Sequence, residues 1–224
     1  MMDMTKLIKR IALAVSLLTG ASLASAEEAD VCSPFRDGKV DESLLTTMLS
    51  AADDGHLFRI QQQSSQVGFC VNSKLSRIEG IFREFKGGMA LDSTENSTGQ
   101  TVVLIKSNSL DTEGKIVENM IKGESFFDVE HYPEVLFVSS GFQWTGPDTA
   151  VLKGDLTLRG ITKPVVFNVT LTSLDDHQVK DAERILVKAT TTINRADFGM
   201  KKLTSLVNNS VDLCMSVEAL KYGT

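Results

Sequence analysis

After Gly55 the apolar positions along this 224-residue chain change from a period near 3.6 to a period of 2. Before that point Leu44, Leu45, Met48, Leu49 and Ala52 recur at helical spacing, which predicts a short amphipathic helix from Asp41 to the Asp53-Asp54-Gly55 stop. Beyond it, Leu57 to Val71 predicts a strand with Val67, Phe69 and Val71 on one face. Ile78 to Phe85 predicts a second, and Gly87-Gly88 a bend before Met89 to Asp92. Polar residues 93–99 form a turn, followed by strands over Thr101 to Leu110 and, after Tyr132-Pro133, Val135 to Ser140. Val151 to Leu158 alternates, with Leu152, Leu156 and Leu158 opposite Lys153, Asp155 and Thr157. Val165 to Leu171, Ile185 to Thr191 and Val211 to Val217 repeat that pattern. Only Asp111 to Lys122 reverts to a helical period, with Ile116, Val117, Met120 and Ile121 on one face. About eight short antiparallel strands at this spacing predict an all-β barrel or sandwich.

The first 26 residues stand apart. Lys6, Lys9 and Arg10 precede an apolar run from Ile11 to Leu18, and Ala24-Ser-Ala26 offers a small-residue cleavage site. That is a cleavable signal peptide, 1–26. Its uncharged stretch is too short and too polar toward its end to anchor in a bilayer, so no membrane span is expected in the mature chain. The implied destination is a bacterial periplasm. Removing a basic leader makes the remainder more acidic than the −6 of the whole chain. An acidic balance argues against sequence-independent binding to nucleic acid or to anionic membrane surfaces. In an oxidising compartment the three cysteines imply one disulfide and one free thiol. Cys32 is expected to staple the N-terminal segment onto a strand, with Cys70 and Cys214 equally eligible as partner. Both strand cysteines face away from the main apolar row.

Candidate chemistry is sparse. There is no phosphate-binding Gly-rich loop, no nucleophile elbow and no Cys-x-x-Cys pair. His56, His131 and His177 lie at no metal-ligand spacing, and Asp53-Asp54 and Asp175-Asp176 sit in turns. No metal, cofactor or catalytic residue is assigned. What the chain has in quantity is apolar side chains for its inward rows, and a barrel of this size either fills with them or encloses one slender ligand.

Three stretches point to one family. Ser125-Phe-Phe-Asp-Val-Glu-His-Tyr-Pro133, Lys153-Gly-Asp-Leu-Thr-Leu-Arg-Gly-Ile-Thr-Lys163 and Asn194-Arg-Ala-Asp-Phe-Gly-Met200 resemble the recurring segments of the YceI-like family, in the same order. Ser64-Ser-Gln-Val-Gly-Phe69 and Ser109-Leu-Asp-Thr112 fit as well. The resemblance implies an eight-stranded antiparallel, lipocalin-like barrel over 57–222, with a short helix between strands and an N-terminal helical extension, 27–56. It implies a long amphiphile inside, a polyisoprenoid or a fatty-acyl lipid. The inward rows then nominate Val67, Phe69, Phe82, Phe137, Leu156, Leu158, Phe167, Val169 and Leu213 as wall residues. The helix carrying Ile116, Val117 and Met120 would close one end beside Phe126 and Phe127. The chain departs from many relatives at Gln61-Gln-Gln-Ser-Ser65, which lacks a Pro and a His, and at Val117-Glu118 and Met120-Ile121, which replace charged and His positions. The leading expectation is thus a periplasmic carrier without catalysis, compatible with a homodimer. Its rivals are an interaction protein with a filled barrel and an enzyme acting on a small hydrophobic substrate.

Overall fold

The computed structural model describes residues 42–53, 56–91, 99–175, 177–179 and 182–222. The expected signal peptide, Cys32 and the rest of 27–41 lie outside the described residues. Helix α1 (Glu42–Asp53) precedes eleven strand segments. These are β1 (Leu57–Ile60), β2 (Gln66–Ser73), β3 (Arg77–Phe82), β4 (Phe85–Ala90), β5 (Gln100–Lys106) and β6 (Leu110–Thr112). Helix α2 (Lys115–Lys122) follows, then β7 (Glu134–Trp144), β8 (Thr149–Leu158), β9 (Ile161–Ser173), β10 (Arg184–Asn194) and β11 (Val207–Lys221).

The register reduces eleven segments to eight staves. β1 and β2 both pair with β11, as Ile60↔Ala219 and Val67↔Met215, so they are two halves of one bent strand. β3 pairs with β2 and β4 with β1, and β6 and β5 pair with that second stave in turn. From β5 the order runs β7, β8, β9, β10, β11, every neighbour antiparallel, and β11 meets the first stave to close the barrel. Closure removes the unpaired edges that would otherwise invite aggregation.

Three expectations shift in the structure. The first strand is broken at Gln62–Ser64 by a turn of 3-10 helix. Ser65 bridges the break, its hydroxyl donating to the Gln61 carbonyl (2.6 Å) while accepting from the Glu218 N–H (2.9 Å). Gly87-Gly88 lies inside β4 rather than at a bend. A Cβ on Gly87 would stand 2.7 Å from the Val102 carbonyl oxygen, so glycine serves strand approach there. The bend falls instead at Arg83-Glu84, between β3 and β4.

The predicted Asp111–Lys122 helix is shorter: β6 takes its start, and its apolar face splits. Ile121 is buried and Val117 half-buried, whereas Ile116 is 87% exposed. The N-terminal helix packs on the outside of the barrel, Met48 burying against Leu57, Ala90 and Val102.

The expected disulfide is not found among the described residues, which leave out Cys32. Cys70 and Cys214 are both free thiols. Cys70 stands opposite Asp212 and Cys214 opposite Gly68, which makes the two diagonal neighbours on the outer face of β2 and β11. Arg77 donates to the Cys70 sulfur at 2.7 Å.

Candidate ligand cavity

Alternation along every stave sends one row of side chains inward, and these form a single apolar core. It is not completely filled. Two cavities of about 60 Å³ each lie within the barrel and share Phe127, Leu158, Ile193 and Leu213 in their walls. The first is lined further by Phe69, Val71, Ile78, Met120, Ile121, Phe126, Arg195, Met200, Val207 and Val211. The second is lined by Val67, Gly68, Phe82, Val103, Ile105, Val135, Phe137, Leu156, Phe167 and Met215. The Phe127 ring packs on both Phe69 and Phe82, at 5.6 Å between centroids in each case. Deeper in, Phe137 meets Phe167 edge-to-face at 5.3 Å. Gly154 makes room for that pair, since a Cβ there would lie 2.6 Å from the Phe137 ring.

The connections over the first cavity are built by the motif residues. In Ser125–Pro133, Asp128 has a left-handed φ of 50° and accepts from His131 at 2.8 Å. That bond to Asp128 holds the His131 imidazole above its ordinary pKa. The two-residue reversal between β8 and β9 puts Arg159 (φ 53°) and Gly160 (φ 68°) both in the left-handed region, as a tight hairpin turn requires. Arg159 then reaches the Phe126 carbonyl at 2.7 Å. Arg195 is the one charged residue in either wall, 2% exposed. Its guanidinium donates to the carbonyls of Asn208, Met200, Lys202 and Val207 at 2.7–3.0 Å, tying together the connection from β10 to β11. Burial pulls its pKa below the ordinary arginine value. Occupied in this way, Arg195 presents no polar atom to the first cavity, whose exposed lining is wholly apolar. No Asp, Glu, His, Cys, Ser or Lys lines either cavity.

Of the residues nominated from sequence, Phe69, Met120, Phe126, Phe127, Leu158 and Leu213 line the first cavity. Val67, Phe82, Phe137, Leu156 and Phe167 line the second. Val169 is buried in the core but borders neither cavity, Val117 only packs against the core, and exposed Ile116 reaches neither. Not nominated were Val71, Ile78, Ile121, Ile193, Arg195, Met200, Val207 and Val211 in the first wall and Gly68, Val103, Ile105, Val135 and Met215 in the second, although the alternation had placed Val71, Val211 and Met215 in inward rows. Ile193 extends the Ile185-Val187-Ala189-Thr191 row by one step, a signal that was present. Met200 lies in a connection, where no period applies.

A closed antiparallel barrel of eight staves with an apolar interior and a short helix beside it defines a lipocalin-like fold. The chain belongs to the YceI-like family, whose domain model matches residues 58–219. It is 38% identical over 146 residues to a UPF0312 protein of Pseudomonas putida strain W619, a match covering 65% of this chain and 75% of that one. A UPF0312 protein of Pseudomonas savastanoi pv. phaseolicola is 31% identical over 184 residues, 80% of this chain and 94% of the relative. Among solved structures, Burkholderia cenocepacia BcnA superposes with a TM-score of 0.63 at 23% identity, over 71% of this chain and 98% of BcnA. A polyisoprenoid binding domain from Saccharophagus degradans superposes at 0.57 and 15% identity, over 73% and 98%. At these identities the two structures establish the shared barrel.

Proposed function

We propose that this protein is a non-catalytic carrier, exported to the periplasm, that holds the hydrocarbon tail of a long-chain amphiphile inside its barrel. The observation that carries this reading is the pair of adjoining cavities with almost no polar lining. A tail of uniform hydrocarbon needs no polar partner, whereas catalysis needs a convergent acid, base or nucleophile. The polyisoprenoid binding named for the Saccharophagus domain supports the class of ligand. Burying about ten methylenes at about 0.8 kcal/mol each gives roughly 8 kcal/mol, sufficient for micromolar binding before association costs.

Each cavity is smaller than the roughly 150 Å³ apolar cavity known to hold benzene. A long tail therefore enters by turning the four shared side chains aside and joining the two spaces into one channel. The same small volume favours a second reading, a filled barrel that serves as an interaction module.

A chain-length series separates the two. Delipidated protein is mixed with prenols or fatty acids of increasing length, and retained ligand is measured by mass after gel filtration. The carrier reading expects affinity to rise with length until the channel is full and then level off. No retention at any length would leave the filled barrel.

A further inference from the structure

Nine large apolar residues are exposed among the described residues, and six of them lie at one end of the barrel. They are Leu75 between β2 and β3, Ile116 and Met120 on α2, Ile161 at the start of β9, and Leu203 and Leu206 before β11. Leu75 is 93% and Ile116 87% exposed, and their grouping with the other four at one end, rather than any single exposure, asks for a surface to meet. The chain brings these connections together. The Lys74 N–H donates to the Leu206 carbonyl at 2.9 Å, and Leu206 bonds back to Leu203. Gly199 lies against Ile161. Met120 and Met200 share the wall of the first cavity. A lysine immediately precedes three of the tips, as Lys74-Leu75, Lys115-Ile116 and Lys202-Leu203.

We infer that this end of the barrel docks on a lipid bilayer surface, its apolar tips entering the headgroup boundary and its lysines meeting anionic headgroups. The inference deepens the carrier reading and rests on it, since a cargo drawn from a membrane must pass this end to reach the cavities. The occupant follows from the chemistry of the rim. Isolated apolar tips beside lysines suit an interface that is apolar below and anionic above, where a lysine stem lies along hydrocarbon with its ammonium at the surface. A folded protein partner would instead ask for a contiguous apolar face. Glu118 is buried and paired with Lys115 and Lys122, each at 2.9 Å, so Lys115 is engaged there and the ammonium groups that meet headgroups are those of exposed Lys74, Lys201 and Lys202. Exposed Glu113, Glu124, Glu130 and Asp197 share the same connections, so attraction is local to the tips and does not come from the net charge. The acidic balance of the chain, which argued against anionic surfaces, is thus overridden at one end.

The test is flotation of the purified protein with vesicles of phosphatidylethanolamine and phosphatidylglycerol. Wild type should float, and the double variant I116D/L203D should bind at least about tenfold more weakly. Val166→Asp, which changes an exposed apolar residue on the side wall of β9, should float as wild type does and shows that any added charge is not enough. Wild type that stays at the bottom, or a double variant that floats equally well, overturns the inference. So does a solution dimer held by these tips, because the occupant would then be a second copy. Bound lipid is extracted and weighed by mass in parallel. Vesicle binding that survives when no lipid is ever found inside would retire the carrier reading while docking stood. Lipid inside a protein that never floats would do the reverse.

Discussion

Leu213 stands in the wall of both cavities, so its size decides whether they can join. Leu213→Trp should fill the junction at an overpacking cost of about 1–3 kcal/mol and remove retention of long tails while the barrel still folds. Far-ultraviolet circular dichroism with ligand mass checks both halves of that expectation. Phe167 is the opposite case, fully buried against Phe137. Phe167→Ala should cost about 3–5 kcal/mol in urea unfolding and enlarge the second cavity. Arg195 acts through the carbonyls it gathers. Replacing it by Met takes the donor from four carbonyls, two of them, Met200 and Val207, in buried hydrogen bonds, and a loss above about 1.5 kcal/mol is expected, again from urea unfolding. At the thiols, Cys214 is exposed, yet desolvation and its contact with Cys70 raise its pKa. Alkylation of native protein should therefore reach Cys214 before buried Cys70, and its rate should keep rising above the pH at which an ordinary thiol ionises. Labelling of Cys70 first, or a rate that has levelled off by the ordinary thiol pKa, would contradict that placement.

Among the elements, strands were legible and their interruptions were not. Period-2 alternation located every long stave because one face of each strand is buried by the core. It could not show that Gln61 to Ser65 breaks the first stave, since the break is set by the Ser65 hydroxyl bonding across to β11. In α2 the four apolar residues share a helical arc, yet Val117 and Ile121 pack on the core, Met120 borders the first cavity while partly open to solvent, and Ile116 is left exposed, a distinction set by how the helix sits on the barrel. The connection between β9 and β10 carries its own acid sensitivity. The Asp175 carboxyl accepts from the Ser173 hydroxyl and from the N–H groups of Glu183, His177 and Arg184, and is held far below the usual carboxylate range. Because the folded pKa is depressed, its contribution is complete above the unfolded value of about 3.9 and is lost as pH falls below it. Exchange of the His177, Glu183 and Arg184 amides should accelerate, relative to the intrinsic rate, between about pH 5 and pH 3, and Asp175→Asn should remove that dependence. Unchanged protection in wild type across that interval would contradict the assignment.

For the molecule as a whole, the family and the barrel were legible from three motifs, and the structure explains what two of them do. The Lys153–Lys163 segment supplies a hairpin whose two central residues both take positive φ, and the Asn194–Met200 segment supplies the buried guanidinium that organises the last connection. The residues of these segments that border a cavity are Leu156, Leu158, Met200 and Arg195, the last with its guanidinium held by backbone carbonyls, so both segments serve the fold. The interior was legible only as a list of inward residues. Which of them border empty space depends on the tilt of the staves and on how Phe127 packs between Phe69 and Phe82, neither of which the period records. The central claim, that the barrel carries a long apolar tail, is tested most directly on protein isolated from its native source. Native mass spectrometry before and after solvent extraction reads the cargo. The carrier account predicts a mass excess that extraction removes and that is recovered as one long isoprenoid or acyl species. A mass equal to that of the chain alone, with nothing recovered in the solvent, would contradict it.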